Sequence, residues 1–389
     1  MISISEAFSI LDNTFFSLQE EVVSLWEARN SVLAETVVSP INMPPFRQSN
    51  MDGYALCLHD AFEYVIIGEI KAGDYFTDTL QPGQALKIFT GAAVPNSAQA
   101  VIQIEKVTVN ENQLQLQETV APETNVRPLG SQIKVNQIAL EKGQFLNAAA
   151  IGFLSGLGLT SVKIYKKPSV GIVVTGNELV KAGDVLSKGK VFESNAIMLQ
   201  TALHTNHFET VTLYQVADDF ENTKTILQKA ISENELVIVS GGISVGDYDF
   251  VGKALENLGV TTLFYKVNQK PGKPLFAGKF KDKFIFALPG NPAASLTCFY
   301  IYVVPTLKKL AGISVNYLSN STMNLAHDFE VNNVRDQFLK AVITEHEAQI
   351  LPHQDSSMLD SFALANSLVY LPSGNYKKVK GDKVAVYFI

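Results

Sequence analysis

The segment VGIVVTGNE, residues 170–178, decides the fold of this chain. Val170–Val174 contains no polar side chain, and it passes directly into a loop that carries Gly176 and Glu178. A strand that is apolar on both faces must be covered on both sides, which is typical of a parallel sheet between helices. The loop after such a strand is where α/β proteins bind ligands.

The same alternation of apolar strands and amphipathic helices continues from Pro168 to about Gly312. We therefore predict a doubly wound α/β domain with a parallel sheet. The predicted strands are Val170–Val174, Val211–Val216, Leu236–Val239, Thr262–Val267 and Phe284–Leu288. The predicted helices are Ala196–His204 (with Ser194 as its cap), Asn222–Ile231, Phe250–Leu258 and a long apolar helix from Pro292.

The sequence on either side of this domain has a different character. Residues 1–35 are predicted to form amphipathic helices, with apolar positions at Ile10, Leu11, Phe15, Leu18 and Val22. Residues 59–135 read as short strands broken by turns, and residues 137–160 read as helical. After residue 315 short alternating strands predict a small all-β domain.

Composition excludes several classes of protein. The 389 residues are 47% hydrophobic and 18% charged, which is typical of a globular chain. A net charge of -7 disfavours a nucleic-acid partner. The most apolar stretch, Ala148–Leu159, is too short for a membrane span, and no signal peptide is evident. Only Cys57 and Cys298 are present, so a disulfide framework is excluded and a cytoplasmic location is expected.

Four strands of the predicted sheet run into loops that mix glycine with polar or charged residues. Because the carboxyl ends of parallel strands meet at one edge, we expect these loops to form a single site. They are TGNE at 175–178, SGGISVGDYD at 240–249, KPGKP at 270–274 and PGNP at 289–292.

The chemistry of these loops suits a phosphorylated ligand. Gly241 and Gly242 can turn backbone N–H groups toward phosphate oxygens, and Lys270 and Lys273 supply cations on a stiff Pro-Gly frame. The alternative for the two lysines is solvated surface.

Carboxylates beside a phosphate site suit Mg²⁺, which prefers oxygen ligands. Asp247, Asp249 and Glu178 are the candidates, although Asp247 and Asp249 fit helix caps nearly as well. His204 and His207 lie three residues apart and are assigned to the surface, because no third metal ligand is nearby in the sequence.

Two general motifs offer other functions. No stretch matches a phosphate-binding P-loop, because the glycine spacing before Lys279 is wrong. Residues 242–246 match G-x-S-x-G, so a serine hydrolase with Ser244 as nucleophile is a rival hypothesis. The histidines that follow, His327, His346 and His353, all lie in the predicted β domain.

Two further motifs lie in the N-terminal half, and all six together resemble one family. The motifs occur in the family's order: SNMDGYA at 49–55, TGAAVP at 90–95, TGNEL at 175–179, SGGISVGDYD at 240–249, KPGKP at 270–274 and LPGNP at 288–292. The chain closely resembles the molybdopterin molybdenumtransferases, represented by bacterial MoeA and the E domain of gephyrin.

The resemblance implies a four-part subunit in an elongated homodimer whose active site is shared across the interface. Its parts would be a helical linker or dimerisation domain (1–26 and 136–166), a β-rich domain (27–135), a molybdopterin-binding α/β domain (167–314) and a barrel-like C-terminal β domain (315–389). The implied reaction cleaves adenylyl-molybdopterin in the presence of Mg²⁺, inserts molybdate and releases AMP. Transient contacts with other proteins of molybdenum cofactor biosynthesis are also implied.

The resemblance also implies roles for individual residues. The catalytic set would be Asp52, Thr90, Glu178, Asp249, Lys270 and Lys273, with Asp218 or Asp219 placed less securely. Glu178 and Asp249 would bind the metal. The pterin or nucleotide part would be held by Gly241, Gly242, Ser244, Asp247, Pro289 and Pro292.

Three positions depart from the family's pattern. Asn177 and Gln132 stand where acids are common, and Gln354-Asp355-Ser356-Ser357 replaces a Gln-Gly-Ser-Gly pattern. Such losses leave open an alternative in which the chain is a pterin-binding scaffold with weak or no insertase activity.

Overall fold

A computed structural model describes residues 1–216, 219–243, 250–315, 317 and 321–389. The chain forms two compact units. The first comprises Met1–Glu21, Asn30–Val32 and Tyr165–Ile389, and the second comprises Val22–Arg29 and Leu33–Ile164. Within the described ranges, no helix is both long enough and apolar enough to cross a membrane.

Residues 1–165 are mostly short strands. Their helices are α1 (Ile4–Asn13) and α2 (Ala148–Gly156), with a 3₁₀ turn at Ile104–Lys106. Their strands are β1 (Glu20–Ser24), β2 (Val37–Val38), β3 (Gln48–Ser49), β4 (Gly53–Leu56), β5 (Glu63–Ile70), β6 (Gln84–Ile88), β7 (Ala100–Gln103), β8 (Val107–Asn110), β9 (Gln113–Leu116), β10 (Val126–Arg127), β11 (Ile138–Leu140) and β12 (Ser161–Tyr165).

The predicted helices over residues 1–35 are correct only for α1. Ser3 and Glu6 form a reciprocal capping box that starts this helix, and Phe8 and Leu11 are buried on one side of it. Beyond Asn13 the expected apolar face is not buried, since Phe15 and Val22 are exposed. Residues 20–24 include two adjacent valines and form β1 instead, because β-branched side chains favour strands.

The second unit is built around a six-stranded sheet in the order β7-β4-β6-β5-β9-β8. One face of this sheet buries Leu86, Ile88 and Val101, and the other buries Leu56 and Tyr64. In the same unit, α2 packs its buried residues into a separate apolar cluster. The short strands predicted for residues 59–135 are therefore confirmed, and all but β10, which pairs with β3, lie in one sheet with a core on each face.

The first unit contains the α/β domain. Its strands are β13 (Val170–Thr175), β14 (Leu179–Val180), β15 (Val191–Phe192), β16 (Val211–Val216), β17 (Leu236–Ser240), β18 (Thr261–Tyr265), β19 (Gln269–Lys270), β20 (Phe276–Phe280) and β21 (Lys283–Leu288). Its helices are α3 (Asn195–Thr205), α4 (Phe220–Glu233), α5 (Phe250–Asn257), α6 (Pro292–Cys298) and α7 (Val304–Leu310), with a π-helical turn at Phe299–Val303.

The main sheet has the order β16-β13-β17-β21-β20-β18 and is covered on both faces. On one face α1, α3 and the helical run from Pro292 pack against Ile172 and Ile238. On the other face α4 and α5 pack against Val173 and Val239. The alternation of neighbouring residues between two apolar clusters explains why these strands read as unbroken apolar runs. The doubly wound α/β fold is confirmed.

The prediction of a wholly parallel sheet is wrong at one position. β13, β16, β17 and β21 are parallel, but β20 pairs antiparallel with both β21 and β18. The sequence pattern does not reveal β20, because Gly278 and Lys279 interrupt its apolar residues. A two-residue connection, Lys281-Asp282, then turns the chain directly into β21.

The C-terminal part of the first unit is a small barrel. Its elements are β22 (Ser321–Leu325), β23 (Phe329–Asn333), β24 (Asp336–Thr344), β25 (Glu347–Ile350), α8 (Asp360–Leu364), β26 (Ser367–Leu371), β27 (Gly374–Lys378) and β28 (Lys383–Phe388). The order β24-β25-β22-β28-β26 closes because β26 also pairs with β24. The predicted barrel-like domain is therefore confirmed, and closure leaves its sheet without free edges.

A buried lysine organises one loop of this barrel. Lys340 is only 3% exposed, and its ammonium group donates to the carbonyl oxygens of His353, Asp355 and Met358. Burial lowers the pKa of Lys340. Gln354 pairs through its side chain with the backbone of Lys340 in both directions. Residues 353–358 are consequently held in place by a single charged side chain and one amide.

The connection between β18 and β20 carries the predicted lysines and is held from several sides. Its middle forms β19, which pairs in parallel with β24 of the barrel. Gln269, the first residue of β19, is buried. Its side chain accepts a hydrogen bond from the Tyr302 hydroxyl and donates one to the Pro271 carbonyl at 3.0 Å. Gly272 has a φ of +91°, and a Cβ there would lie 2.4 Å from the Cys298 sulfur. This position requires glycine both for its backbone angle and for its packing.

Replacing Gly272 with Ala should lower the free energy of unfolding by about 3 kcal/mol, because backbone strain and overpacking add. The matched control is Gly381→Ala. Gly381 has a φ of +89° with nothing within 4 Å of its notional Cβ, so only the strain of about 1–2 kcal/mol remains. Urea unfolding followed by circular dichroism measures both. Equal losses in the two variants would contradict the packing argument, and adding Cys298→Ala to Gly272→Ala should restore part of the loss.

Candidate functional site

A cavity of about 680 Å³ opens at the edge of the main sheet in the first unit. The strand order places β13 between β16 and β17, so the chain winds outward in both directions from the β13–β17 pair. Ligands bind at this switch point in doubly wound sheets. The cavity is lined by Thr175, Gly176, Glu178 and Leu179, by 191–195, by 240–243, by Pro274, and by 289–292.

Strand direction explains why these distant segments meet. The parallel strands β13, β17 and β21 all end at this edge. Two successive antiparallel pairings give β18 the same direction as β21, so the KPGKP loop leaves β18 at this edge as well. Pro274 lines the cavity just before the chain enters β20. The predicted convergence of the four loops at one edge therefore holds despite the antiparallel strand.

The backbone approaches the cavity closely at the loop after β17. Gly242 has a φ of +65°, and a Cβ there would lie 2.6 Å from Val251 and 2.7 Å from the Thr175 hydroxyl. A side chain would therefore clash on both sides. Gly241, Gly242, Pro289 and Pro292, all predicted to bind the ligand, line the same cavity.

The charged side chains that line the cavity within the described ranges are both acidic. Glu178 and Glu193 lie at its wall, and one oxygen of Glu193 accepts a hydrogen bond from the Ala196 N–H at the start of α3. Lys270 and Lys273 are exposed on their loop and are not among the lining residues. The structure thus brings Glu178 and the glycine loop into one cavity, whereas the two lysines lie on a loop that reaches it only through Pro274.

Two polar atoms at the cavity are buried without a hydrogen-bond partner among the described residues. They are the Thr175 hydroxyl oxygen and the Asn195 side-chain oxygen. The sequence prediction missed Asn195, because Ser194-Asn195 reads as an ordinary helix start. Ser194 is indeed the residue before α3, but its side chain makes no capping hydrogen bond.

In the second unit, Asp52 and Thr90, both predicted to be catalytic, are in direct contact. One carboxylate oxygen of Asp52 accepts hydrogen bonds from the backbone N–H and the hydroxyl of Thr90 at 2.7 and 2.8 Å. These two hydrogen bonds lower the pKa of Asp52. Both residues are exposed, so Asp52 presents an ionised carboxylate in a fixed position.

Several predicted residues lie outside the described ranges: Ser244, Asp247, Asp249 and Asp218. Asp219 is described, and its carboxylate accepts from the Asn222 N–H at 2.8 Å as the cap of α4. This structural role accounts for Asp219 without a ligand. The histidines of the hydrolase hypothesis do not line the cavity where the chain is described, and His353 pairs with Asp360 in the barrel.

The barrel loop that departs from the family's pattern contacts the loop after β21. The Asn291 amide donates to the Ser356 hydroxyl at 2.8 Å, and the Ala294 N–H donates to the Ser356 carbonyl at 3.0 Å. Asn291 lines the cavity, so residues 353–358, held by Lys340, support one of its walls. The other two residues that depart from the family's pattern, Gln132 and Asn177, are exposed.

The acidic residues permit a limited role for a metal. No group of three or more His, Cys, Asp or Glu side chains that could hold an ion occurs within the described ranges. Mg²⁺ is commonly bound by one or two carboxylates together with substrate phosphates. Glu178 therefore fits a magnesium ion that is held largely by its substrate, and it does not fit an all-protein metal cage.

Comparison with known proteins covers nearly the whole chain. Residues 2–158 match the family described as MoeA N-terminal region (domain I and II), residues 171–309 match the probable molybdopterin binding domain, and residues 322–389 match the MoeA C-terminal region (domain IV). The cavity thus lies within the segment that matches a molybdopterin-binding domain.

Individual relatives agree with these matches. The chain is 33% identical to the molybdopterin molybdenumtransferase of Haemophilus influenzae, over 99% of this chain and 98% of that protein. It is 32% identical to the enzyme of the same name from Staphylococcus epidermidis, over 99% and 95%. The crystal structure of a molybdopterin biosynthesis MoeA protein from Pyrococcus horikoshii superposes with a TM-score of 0.83 at 28% identity and covers both chains completely. This chain belongs to the MoeA family of molybdopterin molybdenumtransferases.

Proposed function

We propose that the chain is a molybdopterin molybdenumtransferase that inserts molybdate into adenylyl-molybdopterin, releases AMP and so forms molybdenum cofactor. The observation that carries this proposal is the cavity at the β13–β17 switch point, inside the segment that matches a molybdopterin-binding domain. Its volume lies in the range of small-molecule sites. Both substrates are small molecules, so neither a nucleic acid nor a membrane is needed as a partner.

In the proposed reaction, an oxygen of molybdate or water attacks the phosphorus of the adenylyl group. A new P–O bond forms as the P–O bond to the molybdopterin phosphate breaks. Attack by water gives AMP directly; attack by molybdate gives AMP joined to molybdate, and AMP leaves when a dithiolene sulfur displaces it by breaking the Mo–O bond. No protein nucleophile is required. Lys270 and Lys273 are proposed to stabilise the charge that develops on the phosphate or oxyanion. The fixed backbone of their loop supports this role, because a preorganised cation need not be positioned during the reaction.

We propose Glu178 as the described ligand of Mg²⁺, with Asp249 as its predicted second ligand. When bound, the ion would neutralise charge on the phosphate oxygens. The position of Glu178 on the cavity wall supports this assignment. The remaining predicted contacts, Ser244 and Asp247, are proposed to bind the pterin or nucleotide part.

We also propose a homodimer with Asp52 and Thr90 of one subunit serving the α/β domain of the other, and the four-part division expected from the sequence. The resemblance to the family supports both. The cytoplasm is proposed as the location, since Cys57 and Cys298 are buried and unpaired. Transient contacts with other enzymes of the pathway would deliver the substrate and receive the product.

Lys270→Ala should slow AMP formation roughly 100-fold, which is the usual cost of removing one group that stabilises developing charge. The assay follows AMP from adenylyl-molybdopterin with molybdate present. Lys229→Ala, an exposed lysine on α4, is the control and should keep the wild-type rate. An unchanged rate in Lys270→Ala would remove this residue from the mechanism. Absence of AMP formation by the wild type would favour a pterin-binding scaffold.

Glu178→Gln should raise the Mg²⁺ concentration needed for half the maximal rate by about tenfold or more, because a ligand charge is lost. Glu256→Gln on α5 provides a control at an exposed glutamate of the same domain. The rate is measured over a Mg²⁺ titration at saturating substrate. If Glu178→Gln and Glu256→Gln have the same Mg²⁺ dependence as the wild type, Glu178 is not a ligand.

The dimer with shared sites predicts complementation between two inactive variants. Asp52→Asn and Lys270→Ala subunits should each have low activity, whereas mixed dimers contain one intact site. Random mixing should restore about a quarter of the wild-type activity. Each variant taken alone through the same mixing procedure is the control. Activity that stays at the level of the separate variants would contradict a site shared between subunits.

A further inference from the structure

We infer that Asn195, together with Thr175, recognises the amino-bearing edge of a flat heterocycle of the substrate. This inference rests on the proposed function and deepens it, because it names the part of the substrate that enters the cavity. Asn195 was not predicted as part of the site, and Thr175 was predicted only as a member of the TGNE loop, without a role of its own. Neither belongs to the proposed reaction chemistry.

The side chain of Asn195 is fixed in one orientation. It is 8% exposed, and its Nδ2 donates to the Ser240 hydroxyl and to the Gly290 carbonyl, both at 2.8 Å. A carbonyl oxygen can only accept, so the nitrogen of the amide must be the atom that faces Gly290. The amide cannot flip without losing this bond. Its Oδ1 is consequently the atom left without a partner on a residue that lines the cavity.

That oxygen has no hydrogen-bond partner among the described residues, although it is buried. A buried acceptor without a partner lowers stability, and such groups in native proteins are commonly completed by a ligand or an ordered water. Thr175 provides a second, independent case at the same cavity, since its hydroxyl oxygen is also buried and unpartnered in the described part of the chain.

Asn195 Oδ1 and the Thr175 hydroxyl oxygen lie at the end of the main sheet, on opposite faces of it. Ser240, which holds Asn195, pairs with Val174, and Thr175 is the next residue along β13. Val174 belongs to the apolar cluster on the α3 side, so the side chain of Thr175 points to the α5 side, where it lies close to Gly242 and Val251. Both residues nevertheless line the same cavity at the sheet edge, so we propose that a flat ligand in that cavity meets them together.

The polarity of the cavity excludes a phosphate or molybdate at this position. Asn195 Oδ1 can only accept, and a fully ionised phosphate or molybdate offers only acceptors. Glu178 and Glu193 on the described wall are acceptors as well, so an anion beside them would need the magnesium ion proposed above. A neutral group with N–H donors can donate to Asn195 Oδ1 and to the carboxylates of Glu178 and Glu193. The Thr175 hydroxyl, which both donates and accepts, can serve a neighbouring ring nitrogen.

Two parts of adenylyl-molybdopterin have this chemistry. The pterin carries an exocyclic amino group beside ring nitrogens, and so does the adenine. Both are flat, and both lose the donor when the amino group is replaced by a carbonyl oxygen. The shared feature that Asn195 would read is therefore an amino group on an aromatic heterocycle.

Equilibrium titrations with two matched pairs of small probes test this inference. The first pair is 6-hydroxymethylpterin and 6-hydroxymethyllumazine, and the second is AMP and IMP; within each pair an amino group is exchanged for a carbonyl. The wild type should bind the amino member of one pair about tenfold more tightly or better, because an unpaired buried acceptor rejects the analogue. The pair that shows this preference identifies the heterocycle. Asn195→Ala should bind both members of that pair equally.

Thr175→Val gives a second variant that should fold at least as well as the wild type, because it removes a buried hydroxyl that has no described partner. It should nevertheless weaken binding of the amino member several-fold. This combination of unchanged stability and weaker binding would not arise from a purely structural role. Should Asn195→Ala fail to fold, Thr175→Val alone decides: unchanged binding overturns the inference.

Lys229→Ala, at an exposed lysine on α4, is the control, since it should retain the preference between the members of the pair. Absence of a preference in the wild type for both pairs, or a preference that persists in Asn195→Ala, overturns the inference. None of these titrations requires turnover. A failure of the transferase assay is therefore distinguishable from a failure of the proposed recognition by Asn195.

Discussion

The direction of the strands in the main sheet is the constraint on which the site depends. Because β13, β17 and β21 are parallel, their carboxyl ends deliver loops from distant parts of the chain to one edge. β20 runs the other way, yet its two antiparallel pairings leave β18 aligned with β21. Burial on both faces fixes the register of these strands, since a slip by one residue would exchange the two apolar clusters. The position of the cavity thus follows from the packing of the core.

Polarity divides the candidate site into two regions. The cavity wall presents uncharged acceptors, two carboxylates and close backbone, whereas the lysines are exposed on a rigid connection that reaches the wall only at Pro274. A substrate with a flat neutral end and a charged phosphoanhydride matches this division, because each end meets groups of suitable polarity. The barrel loop around Ser356 adds support from the side through Asn291, and Lys340 holds that loop with its buried charge.

The sequence predicted a strand or helix correctly where the pattern of its residues has a single physical cause. Unbroken valine and isoleucine runs predicted β13 and β17 correctly, because only strands buried on both faces need them. β20 was not predicted, because Gly278 and Lys279 interrupt the apolar pattern of this strand. Its antiparallel pairing with β21 follows from the short turn that joins the two strands. Asn195 was not predicted either, because its role depends on Ser240 and Gly290, which are distant in sequence. The KPGKP motif was correctly placed at the sheet edge, whereas the two acids on the described cavity wall and the exposure of the lysines could be seen only in the structure.

The connection between β18 and β20 has a consequence for how the family can vary. Antiparallel strands fasten its two ends, and β19 fastens its middle to the barrel. Exchanging a side chain such as Lys273 leaves this path intact. Inserting or deleting one residue would force either β20 or β19 out of register and turn its side chains to the wrong face. The length of this segment is therefore fixed by the two sheets that it joins, whereas an exposed side chain along it can change without disturbing the path of the backbone.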